Sequence, residues 1–171
     1  PPRRGPRMRA PSERRFLLCA IEVLELEGWG ELVRLNDGAG RTQYGVTERW
    51  RPRAWADGKV TIGEAIDALN LDWIFVRGHR LPPPVDLVLL DWAFHDGAGD
   101  AAAGLQRAVG VTVDRHIGEQ TRAAVAKWAP RLLAENVCSL RLSIYDARGS
   151  EYRRAFHRRV ERLLSSAAAA A

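Results

Sequence analysis

The stretch Leu26-Glu27-Gly28-Trp29-Gly30, continued by Asn36-Asp37-Gly38-Ala39-Gly40-Arg41-Thr42-Gln43-Tyr44-Gly45-Val46-Thr47, decides how this chain is read. On a helix that turns about 100° per residue, Phe16, Ala20, Val23 and Glu27 fall on one line. Glu27 therefore points to the apolar side, while Glu22 and Glu25 lie toward the more polar side, with Leu18 among them. A carboxylate on an apolar stripe must be paired, kept protonated or placed in a cleft, because burying the bare charge is costly. Gly28 stops the helix, and the chain runs on into a glycine-rich turn that carries Asp37 and Thr42.

Outward from that stretch, the chain reads as mostly helical. Residues 1–11 read as an extended basic arm, because Pro1, Pro2, Pro6 and Pro11 are expected to interrupt any helix. Ser12 is the expected N-cap of the first helix. Leu32, Val33 and Leu35, the Asn36-Asp37-Gly38 turn signal and the alternating Thr42, Tyr44 and Val46 predict a short, irregular hairpin. Thr47 is expected to cap a short helical piece that Pro52 breaks. Thr61 with Glu64 resembles a capping box for a helix over 64–69, followed by another over 72–77. After the rigid Pro82-Pro83-Pro84, the apolar run 85–95 predicts a central buried helix. Four more helices are expected: Asp100, as cap, to Val109; 120–128; 130–147; and one from Ser150 to the end.

Composition narrows the function classes. A 171-residue chain that is 46% hydrophobic and carries six Trp can bury a core as one domain, which argues against wholesale disorder. The net charge of +5 rests on arginine, since Lys59 and Lys127 are the only lysines, and it favours polyanionic partners without choosing among them. Cys19 and Cys138 lie in apolar helical contexts and read as free buried thiols. The segment 1–15 lacks the apolar run of a signal peptide, and no run is long enough to span a membrane. Cysteine and histidine show no metal-ligand spacing, and no phosphate-cradling glycine motif follows a strand, so neither metal nor cofactor is expected.

The order of elements resembles a known family. Glu27-Gly28 after an amphipathic helix, Asp37-Gly38-Ala39-Gly40-x-Thr42-x-Tyr44-Gly45-Val46-Thr47, Asp91 to Gly97, and Leu105-Gln106 with Gly110-Val111-Thr112-Val113-Asp114-x-x-Ile117-Gly118-x-x-Thr121 are similar to the glycoside hydrolase family 108 lysozymes. The resemblance covers about Phe16 to Arg159. It implies a mainly α-helical, lysozyme-like domain with a small β-hairpin beside an active-site cleft. Residues 12–97 would form the catalytic part, with 98–171 a helical, peptidoglycan-binding-like part packed on it. It also implies phage-type N-acetylmuramidase activity with Glu27 as catalytic acid, and related phage lysozymes place an aspartate and a threonine on the following hairpin, here Asp37 and Thr42. Three places depart from the family: Glu27-Gly28-Trp29-Gly30 stands for Glu-Gly-Gly-Tyr, His95-Asp96-Gly97 for Asn-Ser-Gly, and Asp114-Arg115 for Asp-Gly.

Glycosidic cleavage needs a proton for the leaving oxygen and support for an oxocarbenium-like centre. A glutamate whose proton is retained by an apolar site suits the first task, and Asp37 with Thr42 could hold water for the second. Each assignment has a structural counterpart: an ion pair of Glu27 with an arginine, an Asn-Asp-Gly turn serving its own backbone, a β-branched strand residue. Trp29 and Tyr44 are candidates for stacking on sugar, and His95 for lining the site, against core packing for each. Asp91 and Gln106 read as internal pairing groups.

The expected partner is therefore the glycan strand of peptidoglycan, in a phage or prophage endolysin released through a holin-like pore or in a lytic component of a phage-like particle. Without a signal peptide the protein would be made in the cytoplasm and act in the periplasm or wall. The arginine-rich ends, Arg3 to Arg15 and Arg153 to Arg162, could hold it to anionic envelope or could be solvated faces. Two other classes stay open: a non-catalytic wall-binding or particle structural protein, and, less favoured by the motifs, a basic nucleic-acid binder.

Overall fold

In the computed structural model, residues 11–35, 40–147 and 153–169 are described. Residues 1–10 of the expected basic arm and the Asn36-Asp37-Gly38-Ala39 turn lie outside these residues, while Pro11, expected to interrupt a helix, is the first residue of one, a position that needs no N–H. The described chain is mainly helical: α1 (Pro11–Leu26), α2 (Ile62–Phe75), α3 (Val85–Asp96), α4 (Ala98–Val109), α5 (Glu119–Val125), α6 (Pro130–Ala147) and α7 (Arg153–Ala169). Between α1 and α2 runs an antiparallel sheet in the order β1 (Val33–Leu35), β2 (Gly40–Gln43), β3 (Val46–Thr47).

The central helix α3 is buried from Val85 to Phe94, which explains an apolar run with no polar face. Leu87, Leu90 and Phe94 pack with α1, the sheet and α2, including Phe16, Val23, Val46 and Trp73. Val85, Val88, Leu89, Trp92 and Ala93 pack with α4 to α7, including Leu105, Val137, Phe156 and Val160. Cys19 and Cys138 are free and buried, one in each cluster, as expected. Asp86, buried on α3, takes two hydrogen bonds from Arg15, Nε at 2.6 Å and Nη2 at 2.8 Å, and so ties α1 to α3. Arg15 is thus an internal partner and not part of an envelope-facing charge run.

Several boundaries differ from expectation for identifiable reasons. Ser12 lies inside the first turn of α1 instead of capping it. The capping box Thr61/Glu64 forms, but the two helices expected after it are one, α2, because nothing at Asn70 or Leu71 breaks the backbone. It ends where Arg77 turns left-handed, at φ 55°. The helical piece expected between Thr47 and Pro52 is only turn, and a 3₁₀ turn follows where Pro52 was expected to break it, Pro52–Trp55, held by Trp55 Nε1 donating to Val46 O at 3.1 Å. Helix α4 begins at Ala98 with Gly97 as cap, leaving Asp100 in its first turn. Helix α5 is shorter than expected, Glu119–Val125, while α6 has the expected bounds.

Arg51 Nη2 sits 2.5 Å from Asp72 Oδ2 at the base of the sheet. Burial pushes the Asp72 carboxyl up to about 6 against the opposing pull of Arg51. Between the unfolded value, about 3.9, and this one, the folded chain holds more protons than the unfolded chain, so stability falls as pH rises through that window. At about 1.4 kcal/mol per unit the contribution reaches up to about 3 kcal/mol. Compared with Asp72→Asn, the wild-type chain is expected to lose that much stability between about pH 4 and about pH 6 in denaturant titrations. Parallel profiles for the two proteins would contradict it.

Candidate active site

Glu27 is positioned by the way α1 stops. Gly28 N donates to Glu25 O at 3.3 Å and Trp29 N to Leu24 O at 3.2 Å, the paired bonds of a Schellman end with Gly28 at C′ and Glu27 as C-cap. Gly28, Trp29 and Gly30 have φ of 77°, 51° and 87°. For glycine this is inexpensive, whereas for Trp29 the left-handed region is strained by about 1–3 kcal/mol.

The turn between β2 and β3 packs against Glu27. Gln43 pairs with Val46, so Tyr44-Gly45 is a two-residue hairpin loop with φ of 52° and 74°. Positive φ at both positions matches the strand twist, and the usual sequence is Asn-Gly, so the tyrosine is a second strained residue. A Cβ on Gly45 would lie 2.7 Å from Glu27 Cγ and Cδ and 2.6 Å from Phe94 Cε1. Gly45 is therefore where the sheet comes down onto the glutamate. Likewise a Cβ on Gly30 would lie 2.3 Å from Tyr44 Cζ, and Gln43 Nε2 donates to Gly30 O at 3.3 Å, which pins the α1 turn to the hairpin. Gly45→Ala is expected to lose at least about 1–2 kcal/mol from φ alone. Thermal melting would register this as a fall of roughly 2–8 °C, and an unchanged midpoint would contradict the packing.

Helix α7 reaches Glu27 from the other end of the chain. Phe156, Val160 and Leu163 bury its apolar stripe, and Arg159 at the stripe's edge reaches inward. Its Nη2 lies 2.5 Å from Glu27 Oε1 and 2.6 Å from Asp91 Oδ1, and its Nε lies 2.9 Å from Asp91 Oδ1. Asp91, fully buried, gives its other oxygen to Arg141 Nη1 at 2.7 Å. Arg141 Nη2 continues to Asp96 Oδ2 at 2.8 Å, and the Tyr145 hydroxyl donates to Asp96 Oδ1. A chain of alternating charge thus runs from Glu27 into the core, with three carboxylates against two guanidiniums. Burial raises Asp91, but Arg159 and Arg141 more than offset it and hold its carboxyl below the ordinary range. Burial lowers Arg159, and Asp91 and Glu27 outweigh it in the raising direction. The Glu27 side chain keeps 15% of its exposure, and among the described residues its Oε2 accepts no hydrogen bond.

The solved structure of SagA from Brucella abortus superposes with a TM-score of 0.80 at 30% sequence identity, over 92% of this chain and 95% of that one. The chain belongs to the SagA family. No family model matches it, and no curated protein does. The SagA-family fold seen here is the mainly helical, lysozyme-like arrangement with a small sheet that the sequence predicts, the hairpin being extended to three strands.

In this SagA-family chain the sequence-derived candidates are placed unevenly. The hairpin brings Tyr44 and Glu27 together, the Tyr44 ring covering Gly30 and Gly45 lying against Glu27, while Trp29, two residues after Glu27, is half-exposed. Thr42, half-buried on β2, has its hydroxyl 3.1 Å from that of Thr47. Asp37 lies outside the described residues. His95, on the last turn of α3, has ring contacts to Phe156 at 6.0 Å and Tyr145 at 6.4 Å. Its imidazole is lowered by the surrounding protein, then by Arg159 and Arg141, which sets it beside the charge chain. Gln106, read as structural, organises the loop before α5: its Nε2 donates to Asp114 Oδ1 at 2.6 Å and its Oε1 accepts from Arg115 N at 2.9 Å. Among the described residues no cluster of three or more His, Cys, Asp or Glu is placed to hold a metal ion.

Sequence reading missed Arg159 and Arg141, having grouped Arg153 to Arg162 as an outward basic run. The signal was available in the periodicity: Arg159 stands at the edge of the Phe156-Val160-Leu163 stripe, whereas Arg154, Arg158 and Arg162 lie opposite it and are exposed. Arg141 likewise follows Leu133, Ala134, Val137 and Cys138 on the buried face of α6.

Proposed function

We propose that this protein is a peptidoglycan hydrolase of the N-acetylmuramidase type, akin to glycoside hydrolase family 108. It would cleave the β-1,4 bond between N-acetylmuramic acid and N-acetylglucosamine with Glu27 as general acid. The observation that carries this is the setting of the Glu27 carboxyl group, with one oxygen held by Arg159 and the other free of protein donors among the described residues, on a side chain that stays partly exposed. A carboxyl group fixed on one side and open on the other can deliver a proton in a set direction to the leaving oxygen. The Trp29 indole offers an apolar face for a sugar ring. Strain at Trp29 and Tyr44, on both sides of Glu27, fits a site where backbone conformation serves function. Membership in the SagA family and the lysozyme-like fold support the same class.

Asp91 is not the second carboxylate of the reaction, because it is fully buried and both its oxygens are engaged. In this proposal that task falls to Asp37, with Thr42 ordering water. Residues 12–97 would carry the acid and 98–171 would contribute to wall binding and, through Arg159, to the site itself. Glycan strands would be met in the periplasm or wall, after holin-type release or delivery on a phage-like particle.

Mass analysis of fragments released from purified sacculi tests the proposal. Products ending in reducing N-acetylmuramic acid are expected, and products ending in reducing N-acetylglucosamine would contradict the bond assignment. The 2.5 Å pair between Arg159 and Glu27 favours one other reading, a wall-binding protein that keeps the fold without turnover. Retention on sacculi with no fragment released would select it.

A further inference from the structure

We infer that Arg159 is a positioning residue for the proposed hydrolysis, acting through Glu27, and that Asp91 holds Arg159 in place. The inference rests on the reading of Glu27 as general acid and adds to it a residue 132 positions away in sequence.

Glu27 is the C-cap of α1 and not a helical residue, so its side chain is not set by helix packing alone. Gly45 lies close against its Cγ and Cδ, and no hydrogen bond from Gly45 to the carboxyl group is present. Among the described residues the only hydrogen bond to it comes from Arg159 Nη2, at 2.5 Å. That bond leaves Oε2 as the oxygen available to a substrate.

Arg159 is itself over-determined. Its Nε and Nη2 both meet Asp91 Oδ1, at 2.9 and 2.6 Å, and Nε also meets Oδ2 at 3.2 Å. A planar guanidinium held at two nitrogens has little freedom left, and its remaining contact points at Glu27. Asp91 cannot move to accommodate it, because Arg141 holds Oδ2 at 2.7 Å within a fully buried pocket. Lysine at 159 would keep the charge but could not span Asp91 and Glu27 with the same fixed geometry. A general acid displaced by as little as ~1 Å loses a large part of its rate advantage while binding of the glycan elsewhere is unaffected, so the effect belongs in kcat and not in KM.

The test uses the full chain and soluble glycan strands prepared from peptidoglycan, with Arg159→Gln, Arg159→Lys, Asp91→Asn, Glu27→Gln and the double variant Glu27→Gln/Arg159→Gln, and melting curves recorded for each. Expected results are a kcat for Arg159→Gln lower by about 10–100-fold with KM within about threefold, and an intermediate kcat for Arg159→Lys. Asp91→Asn should fall in the same direction, and the double variant should be no slower than Glu27→Gln alone. If Arg159→Gln does not fold, Arg159→Lys carries the test, and a wild-type kcat for it would overturn the inference. Wild-type kcat per folded molecule in Arg159→Gln, with Glu27→Gln inactive, would overturn the positioning role and leave the muramidase reading standing. Full activity in Glu27→Gln would remove both.

Discussion

Replacing Glu27 by glutamine is expected to slow hydrolysis of purified peptidoglycan by about 10²–10⁴-fold, the range that a positioned general acid supplies. Glutamine keeps the length and shape of the side chain, and its amide oxygen can still accept from Arg159, so the 2.5 Å contact is weakened rather than removed. The stability cost is the difference between a charged and a neutral hydrogen bond, about 1 kcal/mol. The folded protein would therefore melt within a few degrees of wild type and still bind the wall, with proton delivery alone abolished. Asp91 cannot substitute for it, because it is fully buried with both oxygens engaged by Arg141 and Arg159. Clearing of sacculi at the wild-type rate by Glu27→Gln would show that the acid lies elsewhere.

The second large effect concerns stability. Arg141 is 1% exposed and sits between Asp91 and Asp96, with Phe156 4.6 Å and Trp92 5.5 Å from its guanidinium carbon. Arg141→Met approximates its volume but leaves three carboxylates with one guanidinium, and Asp91 would lose the partner of its Oδ2. Breaking a buried network from one side costs about 3–5 kcal/mol because the remaining charge is stranded. For a chain of this size that corresponds to a fall in melting temperature of roughly 6–20 °C. The pH dependence has a definite sign. Asp91 titrates below its unfolded value in the folded chain, so its contribution is complete above about pH 4 and is lost as pH falls further. Arg141→Met should therefore lie furthest below wild type near neutral pH and approach it in acid. A melting temperature unchanged by the substitution would contradict the network's role.

What could be read from the sequence followed from periodicity and turn chemistry. The central helix was evident because ten consecutive residues, Val85 to Phe94, are buried and a helix with no polar face shows as an unbroken apolar run apart from acids that must pair inside. Glu27 stood out for the same reason in reverse, as one acid on an apolar line. The capping box at Thr61 and the free thiols were local signals that local geometry obeyed. The third strand was not legible, because its loop uses Tyr44 in a left-handed conformation that the packing of its ring on Gly30 stabilises. The partners of Glu27 were not legible either. Arg159 and Arg141 lie 132 and 114 residues downstream of Glu27, and an arginine in a basic run resembles a solvated one until the helix carrying it is docked. Thr42 and Asp37 stay at the level of the family resemblance, the one bonded to Thr47 and the other outside the described residues.

The structure of Glu27→Gln soaked with a glycan fragment of peptidoglycan tests the central claim most directly. The expected result is a scissile glycosidic oxygen about 2.6–3.2 Å from the free terminal atom of residue 27, with Arg159 still bound to the other and a sugar ring against Trp29. A glycan seated away from residue 27, with its glycosidic oxygens out of reach of that side chain, would contradict it.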